Sequence, residues 1–211
     1  MPSRVTVLAA SAAATLAGAA LLGAGLAPAQ PAMPKPVQDY KAAPAGTYAL
    51  DVRHTGLVAR IPHLGFSYSI FRFQDVSGKL AWDPANPAAN KLDVSVDPKS
   101  ITTSATPGFS EELVGAQYLN VAKFPTATFT SKAFHVTDAT HGKVDGDLTI
   151  MGVTRPATFD VTLVGAGPGF RGPVMGVTAR TDVDPTGFGL PPFIKGPIQL
   201  FIDTEFDKQA G

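Results

Sequence analysis

The sequence predicts an all-β domain of eight or nine antiparallel strands, either a closed barrel or a sandwich, with one short helix. Three observations predict it. Apolar residues recur with a two-residue period, at similar spacing, from Tyr48 to Phe206. A helical period surfaces once, between Pro107 and Asn120. The 21 Gly and 19 Pro, beside a charged fraction of 16%, suit a turn-rich β protein.

The first residues read as a leader. Met1 to Ala29 holds one basic residue, Arg4, then an apolar run from Val5 to Leu26, then Ala27-Pro28-Ala29, a small-x-small cleavage site. The reading is a secretory signal peptide over 1–29; the run is rich in Ala and Gly, which argues against an uncleaved anchor. Residues 30–46 are Pro/Ala-rich and read as a flexible lead, and order is expected from about Tyr48, in a domain spanning 47–208.

Strand-like alternation follows at Tyr48, Leu50 and Val52, through Leu57 to Ile61, and at Phe66, Tyr68 and Ile70 before a change of phase to Phe71 and Phe73. Two adjacent apolar residues at the slip suggest a bulge at Ile70-Phe71. Gly78, Leu80 and Trp82 form the next run, closed by the turn Asp83 to Pro87, and Leu92, Val94 and Val96 the one after. In PGFSEELVGAQYLN the early acids and the spacing of Leu113 and Gln117 predict a short helix starting near Ser110, with the serine as its cap. Strands resume at Phe129–Val136, Val174–Arg180 and Ile198–Phe206.

The clearest run is Lys143 to Leu163. Val144, Gly146, Leu148 and Ile150 alternate with polar residues, and so do Ala157, Phe159, Val161 and Leu163. The apolar set is even-numbered first and odd-numbered after, so pairing both sets on one face needs partner numbers with an odd sum. A four-residue loop, Met151 to Thr154, meets that condition. It places Leu148 opposite Ala157, Gly146 opposite Phe159 and Val144 opposite Val161, pairs worth about 0.2 to 1 kcal/mol each.

Charge and chemistry exclude more than they select. Loss of Arg4 with the leader takes 17 bases to 16 against 17 acids, so no net basic field draws nucleic acid or an anionic membrane. No cysteine means no disulfide, no thiol catalysis and no cysteine metal site, and stability must come from a core, which roughly 165 residues can supply. His54, His63, His135 and His141 show no metal-ligand spacing among themselves. No Gly-x-Ser-x-Gly elbow occurs; Gly165 to Gly169 lacks the Lys of a phosphate loop, and Asp182 and Asp184 read as turn formers. The aromatic residues say more. All 13 Phe lie after the leader and cluster near strand ends and the helix. A barrel of about eight strands either is filled by such side chains or holds one small ligand, and composition alone favours the filled core.

Four blocks, taken together, resemble the YceI family of lipocalin-like polyisoprenoid-binding proteins. They are Tyr48 to Asp51 followed by His54; His63-Leu64-Gly65-Phe66 leading to Phe73 and Gly78; Tyr118-Leu119-Asn120 to Lys123-Phe124-Pro125 and Thr128-Phe129; and Gly146 to Ile150 through Gly152 to Pro156. Two places depart from the family pattern: no glycine stands just before Phe73, and Pro185 to Gly189 only approximates the expected Phe-Gly motif.

The resemblance implies an extended eight-stranded antiparallel barrel in the periplasm, with an isoprenoid amphiphile, a polyprenyl lipid or quinone, inside it. The implied contacts are His63, Phe66, Phe71, Phe73, Ser104, Phe109, Leu113, Tyr118, Phe124, Phe129, Phe159 and Phe188, with His63, Ser104 or the helix near the headgroup. It implies no catalytic residue, no cofactor and no metal, no nucleic-acid partner and no stable membrane insertion once the signal is cut; a homodimer is left open. The alternatives are a lipid-modifying enzyme using His54 or His63, and a non-liganded envelope module pairing through a sheet edge.

Overall fold

In the structure, a computed structural model, residues 32–104 and 106–210 are described, and the segment read as a signal peptide lies outside them. The alternation is realised as β1 (Gly46–Leu50), β2 (Gly56–His63), β3 (Ser67–Phe73), β4 (Val76–Trp82), β5 (Lys91–Val96), β6 (Ile101–Thr102), β7 (Ala127–Val136), β8 (His141–Ile150), β9 (Val153–Pro168), β10 (Pro173–Val183) and β11 (Ile198–Lys208), with one α-helix, α1 (Phe109–Leu113). Every pairing is antiparallel. β1, β4, β5, β7, β8, β9, β10 and β11 form a ring of eight, shut where β1 meets β11 with Leu50 opposite Phe206. The eight-stranded closed barrel is borne out.

β2, β3 and β6 prolong three of these strands past a bend. At the first bend Asp51 accepts the Arg53 N–H at 2.9 Å. At the second the Ser100 hydroxyl oxygen accepts the N–H groups of Gln74 (3.1 Å) and Asp75 (3.0 Å). At the third Asp97 accepts the Lys99 N–H at 2.8 Å. Side chains thus satisfy backbone groups that the interrupted ladders leave over. Beyond the bends β6 pairs only with β3, and the chain between β6 and β7, including α1, fills the rest of that end and sends Leu113 into the core.

Apolar parity decides which side faces inward. Even residues of β4, β5, β8 and β11 and odd residues of β2, β3, β9 and β10 point into the barrel, in two clusters. One surrounds Phe71, Phe129, Phe159 and Phe188 near α1; the other surrounds Tyr48, Leu80, Leu163, Met175 and Phe206 at the opposite end.

Five expectations are corrected. The β8–β9 hairpin pairs Val144 with Phe159, Gly146 with Ala157 and Ile150 with Val153, so its loop is two residues, not four. Met151 (φ 50°) and Gly152 (φ 74°) both adopt the left-handed region, the turn whose twist matches the flanking strands. Parity, and with it the dry face, is unchanged. No bulge occurs at Ile70-Phe71: β2 and β3 pair without a break from Leu57–Phe73 to His63–Ser67, and Phe66, Tyr68 and Ile70 simply face outward. The register shifts instead at Ser131/Ala133 and Gly176/Val177. Val52 sits in the first bend, exposed, rather than in a strand.

α1 is capped by Gly108, not Ser110, and ends at Leu113, short of Gln117. The lead differs from a free tether: Val37 exchanges two 2.9 Å backbone bonds with Ala166, Tyr40 N–H reaches Ala139, and Trp82 Nε1 donates to Ala43 O at 3.2 Å.

Candidate functional site

The inward side chains do not fill the barrel. A cavity of about 310 Å³ runs along its axis, lined almost wholly by carbon, from Tyr40 and Trp82 at one end to Phe124, Leu190 and Ile194 at the other. Its central ring pair is Phe129 on β7 and Phe159 on β9, centroids 4.8 Å apart and 73° to one another. Gly146, between them on β8, makes room: a Cβ there would lie 2.6 Å from Phe129 Cζ. At the far end Trp82 meets Tyr40 (6.1 Å) and Phe134 (6.5 Å) edge to face, so the docked lead forms part of the floor.

Polar groups in the wall are few and occupied. Thr204 is buried and its hydroxyl shares a 2.7 Å bond with Thr55. Tyr118, on the α1 side, has its phenol pushed up by burial and then by the neighbouring Glu112 carboxylate, which keeps it protonated. At the Trp82 end the hairpin turn brings His135, Asp138, Thr140, His141 and Lys143 to the cavity margin. The Thr140 N–H, then the His141 ring and N–H, hold the Asp138 carboxyl down at about 2.

The predicted contacts divide three ways. Phe71 and Phe73 on β3, Leu113, Tyr118 and Phe124 from the chain around α1, and Phe129 and Phe159 line the cavity. Phe109 and Phe188 lie behind that wall, Phe109 at 6.4 Å from Phe71 and Phe188 buried in the same cluster. His63, Phe66 and Ser104 do not reach the lumen: all three are exposed, Phe66 by 90%, the first two because β2 ends at His63 and the following turn projects outward, and Ser104 just past the end of β6. The residues missed are those of the second cluster, among them Leu50, Leu80, Trp82, Met175 and Phe206. Their signal is present in the same alternation, but a reading centred on the Phe residues near α1 passes over Leu50, Leu80, Trp82 and Met175, and over Phe206 at the other end.

His54 stands outside the barrel at the first bend. Its Nδ1 lies 2.8 Å from Asp51 and 3.7 Å from Glu205, and ligand atoms of the three lie within 4.8 Å of one another. Asp51 is also the cap of that bend, its carboxyl lowered first by the Arg53 N–H and then by His54. The set is therefore accounted for by backbone capping. Spacing among histidines could not reveal it, since Glu205 comes from β11.

Comparison with known proteins gives one answer. A family model, the YceI-like domain, matches residues 48–206. Protein YceI of Escherichia coli O6:H1 is 38% identical over 125 residues, 58% of this chain and 64% of that protein, and Protein YceI of Salmonella arizonae is 37% identical over the same extent. The chain thus spans about 64% of the length of the curated relatives it matches.

Among solved structures, the Campylobacter jejuni YCEI protein is similar at TM-score 0.63 and 27% identity, over 71% of this chain and 91% of that one. Burkholderia cenocepacia BcnA superposes at TM-score 0.65 and 18% identity, over 74% and 98%. A polyisoprenoid binding domain from Saccharophagus degradans superposes at 0.53 and 12%, over 77% and 98%. At those identities the last two likenesses concern the fold.

Proposed function

The chain belongs to the YceI-like family, and from that premise we propose that it is an exported binding or carrier protein that holds the tail of an isoprenoid amphiphile, a polyprenyl lipid or isoprenoid quinone, inside the barrel. The observation that carries the reading is the carbon-lined cavity along the axis. Its volume of about 310 Å³ sits at the lower end of the range of small-molecule sites. At roughly 30 Å³ per water-sized group it takes about ten non-hydrogen atoms, or two isoprene units. Burying that much hydrocarbon gains about 8 kcal/mol, a micromolar affinity before the cost of immobilising the tail. A longer tail must displace lining side chains or leave through an end.

Phe71, Phe73, Phe129 and Phe159 are the proposed tail contacts, with Leu113, Tyr118 and Phe124 at the α1 end. The polyisoprenoid binding domain of Saccharophagus degradans supports the ligand class by analogy of fold. The leader 1–29 supports export, to the periplasm in this reading. Catalysis finds less support, because neither His54 nor His63 lines the cavity, and a sheet-edge module finds less in a closed ring.

The test is extraction. Protein purified from its own host and treated with organic solvent should release a prenyl lipid in one-to-one amount by mass spectrometry. No released lipid, together with no saturable uptake of a prenyl chain by the extracted protein, would end the proposal.

A further inference from the structure

The exterior of the α1 end carries apolar side chains that neither the core nor the cavity uses. The turn after β2 exposes Leu64 (79%) and Phe66 (90%), and the segment before β11 exposes Phe193 (64%). β2–β11 pairing brings the two segments side by side: Gln199 faces Arg60, and a Cβ at Gly196 would lie 3.5 Å from Pro62. Phe193 in turn packs on Tyr118 (6.0 Å), which lines the cavity. The exposed tips therefore flank one end of the lumen. Leu64 holds φ 54°, a conformation that Asn or Gly adopts at less cost, so turn geometry does not account for a leucine there.

Charge is arranged around them. The four stretches that build this end, 56–74, 113–131, 148–159 and 185–202, contain Arg60, Arg72, Lys123, Arg155 and Lys195 and no carboxylate. The acids nearby are Glu111 and Glu112 on α1, Asp182, which strand pairing places one strand beyond Gln199 from Arg60, and Asp184, which accepts from the N–H and hydroxyl of Thr186. On the outer wall the Arg60 guanidinium lies over the Tyr68 ring at 4.3 Å, an aromatic-cation pairing suited to the headgroup layer. A chain of zero formal net charge thus presents an aromatic-tipped end where these five cations stand against four acids, with Lys195 two residues from Phe193 and Arg60 on the strand that leads to Leu64 and Phe66.

We propose that this end docks peripherally on a bilayer surface rich in anionic phospholipid, with Leu64, Phe66 and Phe193 entering the interface and the cations facing the headgroups. No membrane-spanning segment is involved: among the described residues no helix is long and apolar enough to cross a membrane. The contact sets the lumen against the lipid layer, and it does not depend on what the lumen holds.

The absence of cysteine makes the test clean. Protein freed of the leader 1–29 and carrying Ser67→Cys, or Ala88→Cys at the far end, is labelled with an environment-sensitive dye and mixed with phosphatidylglycerol-containing or pure phosphatidylcholine vesicles. The tip label should shift to the blue with the anionic vesicles alone, and the far label should not. Leu64→Asn with Phe66→Ser, both on exposed turn positions, should weaken vesicle partitioning at least tenfold. Lys195→Glu should weaken it about fivefold or more, the worth of one cation at an anionic surface. Unchanged partitioning in the double variant, or a shift of the far label, overturns the proposal. So does a tip shift produced by raising protein concentration without vesicles, which would make the tip a self-association face.

Discussion

Filling the lumen should raise the stability of the lipid-free protein and weaken its hold on a prenyl chain at the same time. Ala179 on β10 lines the cavity and is partly buried. A benzene ring occupies a cavity of roughly 150 Å³, so Ala179→Phe takes about half of the 310 Å³. At about 24 cal/mol per Å³ the occupied volume is worth about 3 to 4 kcal/mol to the lipid-free fold. Misfit of the inserted ring costs about 1 to 3 kcal/mol of that. The net gain of about 0 to 3 kcal/mol raises Tm by up to about 12 °C in a domain of this size. The lost room is one isoprene unit, about 3 to 4 kcal/mol, so affinity for a geranyl-length probe falls by about two to three orders of magnitude. Differential scanning calorimetry of solvent-extracted protein and a probe-displacement titration read the two numbers. Ala59→Phe, on β2, repeats the experiment from another wall. Undiminished affinity in both variants would place the ligand outside the barrel and refute the reasoning.

Three further outcomes follow from single contacts. Asp138 titrates at about 2 when folded and near its usual 3.8 when unfolded. The unfolded chain therefore binds more protons between those values, and stability contributed by this group is present above about pH 4 and lost as pH falls through 2. Asp138→Asn should accordingly lose less of its urea midpoint than the parent between pH 5 and pH 2.5, and an equal loss would contradict the assignment. Gly146→Ala sets a methyl against the Phe129 ring and the Thr130 carbonyl; it should cost about 1 to 3 kcal/mol by chemical denaturation, and a change within about 0.5 kcal/mol, the size usual for surface sites, would show the ring moves freely. Trp82 is the one tryptophan and lines the far end of the lumen; its emission should change saturably with a prenyl chain long enough to reach it, and silence at full loading would mean the tail stops short.

Much of the wall was legible because a two-residue period is a property of the strand backbone, and it survives errors in everything else. The β8–β9 hairpin shows the separation: the parity argument holds, while the register moved by two residues because Met151 accepts a left-handed φ that usually signals Asn or Gly. Sequence parity also cannot tell a bulge from an outward face, so the run Phe66, Tyr68 and Ile70 reads as one broken by a bulge when it faces outward throughout; apolar atoms make up much of any protein surface. Net charge is silent about placement, which folding decides: Arg60 and Lys195, far apart in sequence, come to the same end through the pairing of β2 with β11.

Whether the barrel is filled or hollow turns on a quantity that alternation does not carry. Strand number and stagger set the diameter, so the internal volume is nearly constant for eight strands and only the summed size of the inward side chains can vary. Ala59, Ala127 and Ala179 all stand at lumen positions. Each contributes one methyl where Leu or Phe would close the space, and the cavity is the direct consequence. Counting the aromatic residues pointed toward a packed core; counting the alanines at inward parity would have pointed to the void, once the barrel and its register were known.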